Sequence, residues 1–157
     1  WLYDIDRLKF LKKLQVGRKK PKKTKKKILK DNRIEIAHKI GKGAVLIEPC
    51  AGDFKKIAIF LGYLDKPKKY IPLDISKDYI TKISKGFKKK FPKVAITAKG
   101  YDFSGNNKLP FEINSSENIT IFFPGSTIGN FKKKNSIKFL KILKSKFQKK
   151  KIINEVK

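Results

Sequence analysis

Three carboxylates stand where a ligand could meet them: Glu48, Asp74 and Asp102 each fall at or just beyond the end of a strand-like run, with a turn or loop following. A carboxylate so placed accepts hydrogen bonds from paired hydroxyls or from an exocyclic amine. Around the first acid, residues 44–56 read AVLIEPCAGDFKK: a short apolar run, a tight turn carrying Gly52, and a lysine, Lys56, that suits an anionic group. A further loop, PGSTIGN, follows the apolar run NITIFF and begins with Pro124 and Gly125. Cys50 is the single cysteine, so neither a disulfide framework nor a cysteine-based metal site is expected. His38 falls in the last turn of a helical pattern, where an imidazole suits the helix dipole, and nothing nearby makes it a metal ligand.

The elements that must position these residues follow a simple alternation. Strands are expected over 44–48, 70–74, 93–98 and 118–123, with a fifth beginning at 151. Helices are expected over 53–64, with Ile57, Ala58, Leu61 and Leu64 inward, over 75–90 behind Ser76, and over 136–147. Pro72 predicts an irregular or less central second strand. Ahead of this lie an amphipathic helix over 1–14, a lysine-rich linker over 15–27 and a helix over 24–40 ended by Gly41 and Gly43. Strands and helices alternating at this spacing make an α/β, mostly parallel sheet with right-handed crossovers. We therefore divide the chain into an N-terminal helical segment, 1–40, and a ligand-binding domain, 41–157. Ligands of such sheets sit beyond the carboxyl ends of the strands. Loops there are polar in any case, so the succession of acids at consecutive ends carries the weight.

The formal charge of +28 invites a nucleic-acid reading. Only Arg7, Arg18 and Arg33 among the 41 basic residues are arginine, however, although arginine is the better phosphate and base reader. Lysine, isoleucine, asparagine and phenylalanine are over-used together, which fits AT-rich codons and solvated lysines. A basic nucleic-acid-binding module using lysines over 12–30 and 132–151 is the alternative, not the favoured partner class. No run reaches the ~18 apolar residues of a membrane span, no signal peptide is visible, and a cytoplasmic location is expected. The chain has no methionine and begins at Trp1, so a fragment is expected.

What ligand would these ends hold? Neither GxxxxGK[ST] nor GxGxxG is present, and Pro49 removes an N–H, which argues against a triphosphate or a dinucleotide. S-adenosylmethionine (SAM) carries no phosphate and asks less of the turn. Its ribose diol suits Asp74, its adenine amine Asp102 with Phe103 covering the ring, and its carboxylate Lys56.

IPLDIS (71–76), YDFS (101–104) and above all FPGSTIGNF (123–131) resemble the histidine-specific, SAM-dependent methyltransferase family, and the order of blocks fits over nearly the whole chain. The resemblance implies the Rossmann-like fold of a class I SAM-dependent methyltransferase with N-terminal helices. It also implies N-methyl transfer to the α-amino group of an amino acid, L-histidine, as in ergothioneine biosynthesis. By position, Gly52 and Lys56 match the loop glycine and lysine, Asp74 the ribose acid, and Asp102 with Phe103 the adenine pair. Gly125 and Asn130 match residues facing the amino-acid substrate, the asparagine holding its carboxylate. No metal and no covalent intermediate are implied. Three departures are visible: Lys19-Lys20-Pro21-Lys22 lacks the family's linker tyrosine, Pro49 and Cys50 stand where the turn has smaller residues, and later core strands and the inserted substrate domain have no counterpart. The expectation is therefore a partial or decayed copy, one that needs its missing C-terminal part to fold well, with another acceptor as the variant reading.

Overall fold

The computed structural model describes residues 22–52, 54–103, 108–112, 114, 116–123, 133–147 and 151–154. The helix expected over 1–14 lies outside them. Two short helices, α1 (Lys22–Asp31) and α2 (Arg33–Ile40), stand where one was expected over 24–40. The break is Asn32, at φ −103°, ψ 11°. Its side-chain amide donates to the Ile28 carbonyl at 2.8 Å, the same oxygen its backbone N–H reaches at 3.1 Å. Asparagine competes in this way with the helix ladder. Ile36, Ala37 and Ile40 turn inward, and α2 ends at Gly41 with φ 84°, where a side chain is disfavoured.

Among the described residues six strands form one parallel sheet: β1 (Val45–Pro49), β2 (Lys69–Asp74), β3 (Ala95–Ile96), β4 (Lys99–Gly100), β5 (Ile119–Phe123) and β6 (Lys151–Asn154). The order is β3-β2-β1-β5-β6, with β4 also on β2. Helices α3 (Lys77–Lys90) and α4 (Lys133–Lys146) lie in the β2–β3 and β5–β6 crossovers. The parallel α/β architecture is as expected, and three details are corrected.

The strand expected over 93–98 is two pieces, and Pro72 explains why. Tyr70 O accepts from Thr97 N–H at 3.0 Å and Asp74 O from Tyr101 N–H at 2.8 Å, so the even residues of β2 face β3 and β4. Pro72, between them, has no N–H to donate. The ladder lapses there, between Tyr70↔Ile96 and Leu73↔Lys99. β2 itself is paired on both sides, so the proline's irregularity is expressed in its neighbour. Second, where a helix was expected over 53–64, the described residues 54–64 hold no α-helix: two 3₁₀ turns occur, Ile57–Ile59 and Leu61–Tyr63, with Ile57, Phe60, Leu61 and Leu64 buried and Ala58 half-buried. The left-handed Phe54 at φ 57° starts this segment and Phe60 at φ −124° interrupts it. Third, Ser76 occupies the N-cap of α3 without a side-chain cap bond.

The pleat divides the core in two. Leu46, Tyr70, Ile96 and Phe122 pack with α1, α2 and the 3₁₀ turns. Val45, Ile47, Ile71, Leu73, Ile119, Ile121 and Phe123 pack with Phe139, Leu143 and Phe147 of the α4 region. Strict alternation on strands buried on both faces is what a doubly covered parallel sheet requires.

Candidate functional site

The carboxyl ends of β1, β2 and β4 meet at Asp74. Its Oδ2 accepts from Gly52 N–H at 3.3 Å and its Oδ1 from Ser76 N–H at 3.1 Å. Ala51 N–H donates to Leu73 O at 3.1 Å. One half-buried carboxylate thus ties the turn after β1 to the start of α3. A carboxylate has about four acceptor positions, and among the described residues these two donors take one on each oxygen.

The turn after β1 is held in unusual backbone geometry. Cys50 (φ 54°), Gly52 (φ 60°) and Phe54 (φ 57°) are all left-handed. Only glycine takes this region without steric cost. The expected misfit of Cys50 therefore has a concrete form, a side chain in a backbone region that favours glycine. Pro49 is better accommodated. Val45 N–H donates to Asn118 O, so the amide side of residues 45, 47 and 49 faces β5, and that pairing has already stopped at Ile47↔Ile121. A Cβ on Gly52 would meet no heavy atom within 4 Å, so the space beside Asp74 at this glycine is open.

Glu48 is 3% exposed and accepts a 2.5 Å hydrogen bond from the Tyr70 hydroxyl, itself fully buried. Burial, then the Glu48 charge and hydrogen bond, push the Tyr70 phenol well above its ordinary range. Burial also pushes the Cys50 thiol up to about 11, with the Asp74 and Glu48 carboxylates adding to it. The thiol is therefore protonated, and a poor nucleophile, at neutral pH.

Asp102 is exposed, directly after β4 and Tyr101. Burial and then Asp102 push the Tyr101 phenol upward. Phe103 is buried, edge-on to Tyr101 at 4.6 Å and to Phe139 at 5.5 Å, so its ring is part of the core wall at this end of the sheet. Lys56 is half-buried at the entry to the first 3₁₀ turn. Gly125 and Asn130 lie outside the described residues. His38 is exposed, and no three His, Cys, Asp or Glu gather as a metal site among the described residues. No described helix is long and apolar enough to cross a membrane.

Two contributors were not singled out from the sequence. Tyr70 sits one pleat back from the residue opposite Glu48, since Glu48 registers with Pro72, and its role depends on that cross-strand register. Gly100 lets β4 approach α3: a Cβ there would stand 2.8 Å from Lys77 Cβ.

With this geometry in hand, comparisons with known proteins are informative. A family model described as histidine-specific methyltransferase, SAM-dependent, matches residues 15–153. A search of curated proteins gives no match. The fold is similar to a SAM-dependent methyltransferase from Aquifex aeolicus, with TM-score 0.52 and 15% identity over 82% of this chain and 68% of that one. It is also similar to a putative methyltransferase from Bacillus halodurans C-125, with TM-score 0.51 and 15% identity over 80% and 49%. The chain spans 43–68% of the length of the solved chains it resembles.

Proposed function

The chain belongs to the histidine-specific, SAM-dependent methyltransferase family, and on that premise we propose that it binds SAM across the ends of β1, β2 and β4 and methylates the α-amino nitrogen of an amino acid, L-histidine. When bound, SAM supplies an electrophilic methyl that the amine lone pair takes in line as the thioether leaves. The residues of the chain position this reaction and require no nucleophile of their own.

Asp74 is assigned to the ribose diol. The supporting observation is that, among the described residues, Gly52 and Ser76 each occupy one position on its two oxygens, which leaves a pair of acceptors for a pair of hydroxyls. Gly52 leaves open space beside that carboxylate. Asp102, exposed, is assigned to the adenine amine, with Phe103 as the apolar wall behind the ring. Lys56 is assigned to the methionine carboxylate, and Gly125 with Asn130 to the amino-acid substrate. The acceptor amine must be neutral to attack, so turnover rises with pH toward the amine's own titration. We place the reaction in the cytoplasm, which a single cysteine without a disulfide framework suits.

Calorimetric titration of the chain with SAM, with and without L-histidine, tests this reading. Heat is expected with SAM, and Asp74→Ala is expected to abolish it. Equal SAM affinity in the wild type and in Asp74→Ala would refute the ribose assignment.

A further inference from the structure

Among the described residues of the turn that carries Gly52, three are left-handed, and two of them, Cys50 and Phe54, are not glycine. Such geometry persists only where the surroundings over-determine it. The surroundings here converge on one side chain. Tyr70 donates its hydroxyl to Glu48, the residue two before Cys50, at 2.5 Å. Its ring meets Phe54, at the other end of the turn, edge-on at 5.6 Å, and Phe87 of α3 at 6.1 Å. Tyr70 therefore touches the chain on both sides of the turn and also the helix that begins beyond Asp74.

We infer that Tyr70 is a positioning residue: by holding Glu48 and Phe54 it clamps the strained turn in the form that presents Gly52 and the Asp74 carboxylate to the cofactor. This rests on the SAM-binding reading for its consequence, but the clamp itself has an independent reporter. Cys50 lies inside the turn, is the chain's single cysteine, and its ionisation is pushed to higher pH by burial, Asp74 and Glu48. Any loosening of the turn reduces one or more of these, so the thiol would titrate at lower pH.

The test uses the full chain and the variants Tyr70→Phe and Glu48→Gln. Phenylalanine keeps the ring contacts to Phe54 and Phe87 and removes only the donor. Glutamine keeps an oxygen for the phenol and removes the charge. SAM affinity is measured by calorimetry, and Cys50 ionisation by the rate of iodoacetamide alkylation against pH. Tyr70→Phe is expected to weaken SAM binding about tenfold, the low end for losing a hydrogen bond to a charged group, and to move the alkylation profile to lower pH. Glu48→Gln, which turns this charged hydrogen bond into a neutral one, is expected to weaken SAM binding by less than Tyr70→Phe does. SAM affinity within twofold of wild type in Tyr70→Phe overturns the clamp, as does an unchanged alkylation profile. Loss of affinity in Glu48→Gln as large as in Asp74→Ala also overturns it, since Glu48 would then act through its charge. If the wild type itself binds no SAM, the functional reading fails and the alkylation profile alone decides the clamp. If Tyr70→Phe does not fold, Phe54→Leu, which removes the ring that Tyr70 holds, takes its place, and unchanged SAM affinity or an unchanged alkylation profile there overturns the clamp.

Discussion

Gly100→Ala puts a single methyl group into the closest backbone approach at the site. The new Cβ would stand 2.8 Å from Lys77 Cβ, 3.2 Å from its Cγ and 3.5 Å from its Cα. Ordinary carbon–carbon contact is about 3.5–4.0 Å, so roughly 1 Å of overlap must be relieved. The obstructing atom is not the free end of a lysine chain. It is the Cβ of the first residue of α3, fixed to the helix backbone, so either β4 or the helix N-terminus must move. Overpacking of this kind costs about 1–3 kcal/mol. For a chain of this size each kcal/mol lowers Tm by about 2–4 °C. The displacement also reaches Asp74, because Ser76 precedes Lys77 and Tyr101 follows Gly100, and both donate to Asp74. SAM binding should therefore weaken together with Tm. Gly86→Ala, inside α3 with nothing within 4 Å of its Cβ, is the control. It is expected to stabilise by about 0.5–1 kcal/mol, since glycine is a poor helix former. Thermal melts followed by circular dichroism, with calorimetry for SAM, measure both. A Gly100→Ala protein melting at or above wild type would refute the packing argument.

Further expectations follow from buried polar groups. Stability should fall as pH rises from about 9 toward 11: the Cys50 thiol, at about 11 in the fold, stays protonated there while the unfolded chain ionises, so the unfolded state binds fewer protons. The raised Tyr70 phenol acts in the same direction at higher pH. Cys50→Ala should flatten the lower part of this decline in urea unfolding measured against pH, and an unchanged slope would count against it. Thr120 is fully buried and its hydroxyl has no hydrogen-bond partner among the described residues. Thr120→Val should raise stability by about 1 kcal/mol by removing a buried unpaired group, and a lower urea midpoint would contradict this.

Much of the fold was legible because its signals are local. The run over 118–123 and the periodicity over 75–90 become β5 and α3 with small shifts of boundary. The helix expected over 53–64 failed for a physical reason. Of the four residues expected inward, Ile57, Leu61 and Leu64 are buried by the 3₁₀ turns, while Phe60 is buried in place of the half-buried Ala58. Apolar spacing cannot distinguish the two helix types, and the left-handed Phe54 is invisible to it. Pro72 was recognised as irregular, but its effect falls on a strand that pairs with it from more than 20 residues away. The carboxylates at the strand ends were readable one by one. That Asp74 reaches back 22 residues to Gly52, and that Tyr70 meets Glu48, depends on register between strands and could not be read along the chain.

The acids at the strand ends differ in sign from the charge of the chain, and this bears on the ligand proposed for them. The lysines lie on helices facing both sides of the sheet, with Lys82, Lys85 and Lys89 exposed on α3 and Lys134, Lys138 and Lys141 exposed on α4. Solvated charges of this kind are screened within about 10 Å at moderate salt. Glu48 and Asp74 instead converge on Cys50, both holding its thiol in the protonated form, and Asp102 stands exposed at the neighbouring strand end. A phosphate brought to these strand ends would meet carboxylates at close range, whereas a sulfonium with an attached ammonium would meet complementary charge. The net charge of +28 therefore describes the solvated helices, and under the proposed reading the half-buried Asp74 and the exposed Asp102 set the charge that the cofactor meets.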